Sequence, residues 1–273
     1  MNNFKKFSFP YSVWMILLTG IPLLVMLLIS FMDIQYLKFE NATISIAHFE
    51  QIFNPTYFKA FWLSIKLGSL ATIGALLIGY PIAYIVSHSK MQNKFLFLLI
   101  FILPMWTNLL LRVETINRLL KPEGFMKNVF GFALDLSGSE AAVVIAMIII
   151  YLPFMIFPIY TVLEKMDKSL IEASMDLGAN PIHSFFKVTL PLSLKGVSSG
   201  ITMVFLPCAM GFTIPQIISN GNIQLIGNII EQQFKGPTGA YNVGSLAAII
   251  VIVFVFGALF LISKIDEDGE TLL

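Results

Sequence analysis

Apolar residues in this chain come in long unbroken runs, parted by short clusters of polar and charged positions. Six runs occupy residues 13–31, 61–86, 95–111, 141–163, 196–218 and 241–262. Each comes close to the roughly 20 residues that a helix needs to cross the hydrocarbon core of a bilayer. A helix that is apolar on every side leaves no face for water. The pattern predicts an all-α integral membrane protein of six transmembrane helices, a single transmembrane domain over residues 1–273.

Composition agrees, because 57% hydrophobic and 12% charged residues are too apolar and too sparsely charged for a soluble domain. Lys66 is the one charged residue inside any run, about a turn and a half from its start, where the flexible stem carries the ammonium to the headgroups. Lys5 and Lys6 imitate the charged start of a signal peptide. The run after them is too long, however, and Ser30-Phe31-Met32-Asp33 offers no small-x-small cleavage site, so it counts as a span. Cys208, the single cysteine, has no second thiol to pair with and reads as a small packing residue. A net charge of +1 without a basic tract gives no sign of a nucleic-acid partner.

Loop lysines set the orientation. Lys5, Lys6, Lys90 and Lys94 place their side in the cytoplasm, and parity puts the 164–195 segment and both termini there too. Lysine and arginine number nine on that side and seven on the other, so the topology rests on span count as much as on charge. The outer set includes Arg112, Arg118, Lys121 and Lys127, around a Pro122-Glu123-Gly124 turn that reads as a folded cap at the outer mouth. Pro22, Pro81, Pro104, Pro153, Pro158, Pro207 and Pro215 interrupt five runs. Each removes a helical hydrogen bond that must be replaced in lipid, so kinked helices are expected.

Residues 168–191 predict two short helices meeting at a sharp corner. Ser169 with Glu172 three residues on is a capping box. Gly178 is placed to end the first helix in the left-handed conformation. Asn180 then serves as N-cap with Pro181 at the first helical position, and Leu190-Pro191 closes the second helix. Leu170, Ile171, Met175 and Leu177 give the first helix an apolar side. Such a pair fits either a groove in a partner protein or the bilayer surface.

The order Glu172-Ala173-Ser174, three residues, Gly178, nine residues, Val188-Thr189-Leu190-Pro191 resembles the signature loop of ATP-binding-cassette importer permeases. There the pattern reads Glu-Ala-Ala, Gly, Ile-x-Leu-Pro at the same spacing, with Ser174 and Val188 as the departures here. The resemblance implies the type I importer permease fold, in which this loop is a cytoplasmic coupling helix docked on an ATPase. Ser169, Glu172, Ala173, Ser174, Asp176, Gly178, Asn180, Pro181, Leu190 and Pro191 would form the dock. It also implies a second homologous permease, two ATPase subunits that hold ATP and Mg, and an extracytoplasmic binding protein, with no cofactor in this chain. Gly79-Tyr80-Pro81-Ile82-Ala83-Tyr84, Leu103-Pro104-Met105-Trp106-Thr107-Asn108 with Arg112, Leu152-Pro153-Phe154-Met155 and 226–234 look like the spermidine/putrescine permeases of the PotB type. A polyamine cargo and a bacterial inner-membrane location are implied.

A polycation in transit meets carboxylates, carbonyl oxygens or aromatic faces. The runs contain no carboxylate. Candidate pathway residues are therefore the aromatic Trp106, Tyr151, Phe205 and Phe212 with the outer-mouth acids Glu114, Asp135 and Glu231. Each aromatic equally serves packing or an interfacial belt, and the acids equally balance the nearby basic residues. A proton-driven carrier would place a titratable relay within the membrane, and all three histidines, His48, His88 and His183, lie outside the runs. No His-Glu-x-x-His, Gly-x-Ser-x-Gly or phosphate-loop sequence is present, so neither metal-dependent nor hydrolytic chemistry is expected and any motor must be another chain.

Overall fold

The computed structural model describes residues 2–33, 43–46, 48–121, 136–236 and 240–270. Among these, five helices are long and apolar enough to cross a membrane, and six spans result if one sharply bent pair counts as one. Two compact units are distinguished, Met1–Ala60 with Asn228–Gly257, and Phe61–Gly227 with Ala258–Leu273.

In the first unit, α1 (Asn2–Ile29) is apolar over Pro10–Ile29 and almost wholly exposed there. Such a surface belongs against lipid or another chain. Beyond it, β1 (Met32–Asp33) pairs antiparallel with β2 (Thr43–Ile44). The buried His48 ring bonds the Ser30 carbonyl at 2.6 Å and so fastens the start of α2 (Phe49–Ile52) to the end of α1. The first residues of α3 (Pro55–His88) follow.

The second unit holds most of α3, then α4 (Lys94–Ile102), α5 (Leu109–Leu120), α6 (Glu140–Lys165), α7 (Lys168–Asp176), α8 (Pro181–Ser184), α9 (Leu190–Met210) and α10 (Thr213–Ile218). Its core is built on small residues. Ala71 and Ala75 of α3, Ala142 and Ala146 of α6 and Cys208 of α9 are fully buried. Glycines bring the backbones closer still. A Cβ on Gly68 would stand 2.9 Å from that of Ala209, and one on Gly196 would stand 2.9 Å from the Pro158 carbonyl and 3.0 Å from Ile159 Cα. One on Gly200 would meet Met155 Sδ at 2.8 Å. Gly196 and Gly200 are a small-xxx-small pair, the spacing through which membrane helices gain van der Waals contact when lipid removes any hydrophobic drive between them.

Two of the predicted runs are broken. The 95–111 run is not one straight helix, because α4 passes into a 3₁₀ turn at Leu103–Trp106 and α5 leaves at 98° to it. Pro104 lies in that turn, Thr107 is extended, and the Asn108 side chain accepts from the Leu110 N–H at 2.8 Å, restarting the chain as a new helix. The 196–218 run breaks at Gly211, whose extended backbone sits so close to the Pro207 carbonyl that a side chain there would overlap it. The short segments beyond the breaks meet, with Asn117 of α5 donating to the Ile217 carbonyl of α10 at 3.3 Å.

Lys66 does more than reach for headgroups. Its ammonium lies 2.7 Å from Glu140 at the start of α6 and ties that end of α3 to α6. At the other end of the same two helices, Lys94 bonds Glu164 at 2.9 Å and the Ser87 carbonyl at 2.6 Å.

Candidate functional site

The corner at 167–193 is built from local chemistry. Its first helix starts earlier than the capping-box reading has it, because the N-cap is Asp167, whose carboxylate accepts from the Ser169 N–H at 3.0 Å. An ionised acceptor makes a stronger bond than a hydroxyl, so the acid two residues upstream wins over Ser169. The Ser169 backbone and hydroxyl together hold the Asp167 carboxyl below its usual range. A lowered carboxyl stabilises the folded form above its unfolded pKa, and that contribution is lost as pH falls through the lowered value. Hydrogen exchange over 168–172, referred to the intrinsic rate at each pH, is accordingly expected to stay slow at neutral pH and to quicken on acidification. Asp167→Ala should quicken it at neutral pH, and equal exchange in the two chains would dismiss the cap.

Glu172 and Asp176 are exposed on α7, as is Ala173. Gly178 closes the helix as expected, at φ +91°. The Gly178 N–H reaches the Met175 carbonyl at 2.9 Å and the Ala179 N–H reaches Ser174 at 3.1 Å, the paired bonds of a Schellman stop. Asn180 then accepts from the His183 N–H at 2.7 Å with Pro181 at the first position of α8, also as expected.

Leu190-Pro191 does not close that second helix. A π turn over Phe185–Thr189 carries it without interruption into α9, and Pro191 stands in the first turn of α9. A proline ring normally collides with the carbonyl four residues back, here Lys187, and the widened turn lies at that place. Ser174, the departure from alanine in the signature, has a specific partner. Its hydroxyl lies 2.8 Å from the Ile171 carbonyl and 2.6 Å from Ser184 Oγ. The Ser174 hydrogen is taken by the carbonyl, so Ser184 donates across the corner. Outward, the corner shows Leu170, Met175, Leu177, Ile182 and Phe186, with Leu177 and Ile182 90% and 70% exposed.

The candidate pathway residues fall on different elements of the two units. Trp106 is 80% exposed in the 3₁₀ turn after α4. Tyr151 of α6 has its hydroxyl 3.9 Å from where a Cβ on Gly211 would stand, which places it beside the break that Phe212 follows. Phe205 is partly buried on α9. Glu114 accepts from Arg118 at 3.1 Å, and Glu231 from Lys235 at 2.9 Å on α11 (Ile226–Lys235) of the first unit. Asp135, like the Pro122-Glu123-Gly124 turn, lies outside the described residues. Sequence reasoning missed Arg112 as a burial problem, although its Nε is buried with no hydrogen-bond partner among the described residues. A cation one turn into a helix that follows a proline break was the available signal.

Residues 91–264 match the family of binding-protein-dependent transport system inner membrane components. The chain belongs to that family and is a multi-pass membrane protein, the permease subunit of an ATP-binding-cassette importer rather than an enzyme. It is 33% identical over 267 residues to the spermidine/putrescine transport system permease protein PotB of Haemophilus influenzae, covering 93% of each chain. A bacterial transporter that imports the acidic polysaccharide alginate contains a chain of the same fold, with a TM-score of 0.76 at 13% identity over 97% of this chain and 95% of that one. A second alginate transporter structure, in complex with a periplasmic protein bound to an alginate pentasaccharide, has a chain that aligns with a TM-score of 0.75 at 15% identity, over 95% and 92%.

Proposed function

We propose that this permease conducts spermidine, putrescine or a closely related polyamine. The observation that carries the reading is the likeness over 93% of the chain to a permease named for those two amines. In this reading both chain ends are cytoplasmic, and an external binding protein delivers the amine. A second, homologous permease completes the pathway. Two ATPase subunits, which bind ATP and Mg, dock on the corner at 167–193.

The exposed apolar surface of Leu170, Met175, Leu177, Ile182 and Phe186 suits a groove in such a partner, by the helix-in-groove mode. Ser169, Glu172, Ala173, Asp176 and Pro191 are exposed along the same corner and lie within reach of a docked chain, while Ser174, Gly178, Asn180 and Pro181 set its shape. A push on the corner then rocks α3, α6 and α9, held together at their glycine contacts, as one body.

The test is uptake of labelled spermidine by bacteria lacking their own polyamine import and expressing this chain with its partner subunits. Uptake that competes with unlabelled putrescine is expected. An assembled complex that hydrolyses ATP on contact with its binding protein yet admits neither amine would overturn the cargo and leave the permease assignment standing.

A further inference from the structure

The π turn at Phe185–Thr189 sits between the corner and the span that the corner must move. Such a turn holds one residue more than an α-helical turn, and its ladder changes partners readily because the spacing is the less favoured one. Shedding the extra residue rotates everything beyond it by about 100° and shifts it by about 1.5 Å. Left free, it would soak up a push from the corner.

It is not left free. Phe185, at its start, packs edge-on against Tyr80 at 5.8 Å and 90° and against Tyr84 at 5.3 Å and 89°. Four residues past its end, Ser193 Oγ lies 2.8 Å from the Tyr80 hydroxyl. Ser193 already donates to the Leu190 carbonyl at 2.9 Å, so Tyr80 is the donor. Both groups are buried, Ser193 completely. A single side chain of α3 thus holds both ends of the wide turn, by its ring before the turn and by its hydroxyl after it. α3 is in turn seated on α6, where a Cβ on Gly79 would stand 3.0 Å from Met155.

We propose that Tyr80 is a positioning residue for coupling. With Phe185 and Ser193 it fixes the π turn, so that displacement of the corner enters α3 as rigid movement instead of being spent in a change of helical register. The proposal rests on the reading of the corner as the ATPase dock.

The test uses the whole complex in proteoliposomes and reads ATP hydrolysis with and without the external binding protein, purified from the same cells with its own bound solute. Tyr80→Phe keeps the ring and removes only the hydroxyl. Stimulation by the binding protein is expected to fall about fivefold, the size of one lost buried hydrogen bond, while assembly and unstimulated hydrolysis hold. Ser193→Ala should give a similar loss, and the double variant no more than either, since both remove one bond. Undiminished stimulation in both single variants, or a matching fall in unstimulated hydrolysis, overturns the proposal. Gly178→Val in the same preparation separates the two ideas. If it leaves stimulation intact, the dock is wrong and the latch falls with it; if it abolishes stimulation while Tyr80→Phe does not reduce it, the latch alone is wrong.

Discussion

Gly178→Val is expected to cut uptake about 5- to 30-fold at an unchanged level in the membrane. The effect is a backbone effect, since nothing among the described residues lies within 4 Å of where the Cβ would stand. At φ +91° a β-branched residue costs about 1–2 kcal/mol. Substitutions should therefore rank by tolerance of the left-handed region rather than by size, with Asn mildest, Ala between and Val worst. Uptake and co-purification of the ATPase are to be measured across the three variants. An order that follows side-chain volume, or native uptake with Val, would show that the turn is not what matters.

Gly196→Leu is expected to produce a large loss of stability in the second unit. The added atoms meet backbone, the Pro158 carbonyl at 2.9 Å and Ile159 Cα at 3.0 Å, so no side chain can swing away to make room. Overpacking of this kind costs about 1–3 kcal/mol, and the upper end applies because two helices must part. Gly257 supplies the control, as a Cβ there meets nothing within 4 Å among the described residues. Thermal unfolding of the purified chain in detergent should show a clear drop for Gly196→Leu and none for Gly257→Ala. Equal midpoints would mean that α6 and α9 are not held by close approach.

What the sequence disclosed follows from how local each feature is. The stop at Gly178 and the restart at Asn180-Pro181 depend on a few neighbouring residues, and both stand where the reading puts them. Asp167 was passed over because Ser169 and Glu172 satisfied a known pattern; the competition between two acceptors for the same helix start is settled by charge, which a pattern does not weigh. Run length located the spans α1, α3, α6 and α12 (Tyr241–Glu270). It was blind to the breaks at 107–108 and 211–212, because both are flanked by apolar residues that keep the run going. The signals were present as Pro104 with Asn108, and as Pro207 with Gly211, but prolines occur in unbroken spans as well. Long-range partners such as Tyr80 with Ser193, or Lys66 with Glu140, join residues 113 and 74 apart and leave no trace in spacing.

The two breaks also say something about solvent. Wherever a helix stops within an apolar run, carbonyl and amide groups lose their partners along the axis, and acyl chains supply none. Asn108 answers for the Leu110 amide, and the Thr107 and Gly211 amides keep the Pro104 and Pro207 carbonyls, so what the breaks leave is extended polar backbone outside the helical ladder at those two residues. Those positions are tolerable only against protein or in contact with water, never against lipid tails. Trp106 and Phe212, which adjoin them and are exposed in the subunit, are accordingly the residues expected to face a partner chain or water rather than acyl chains.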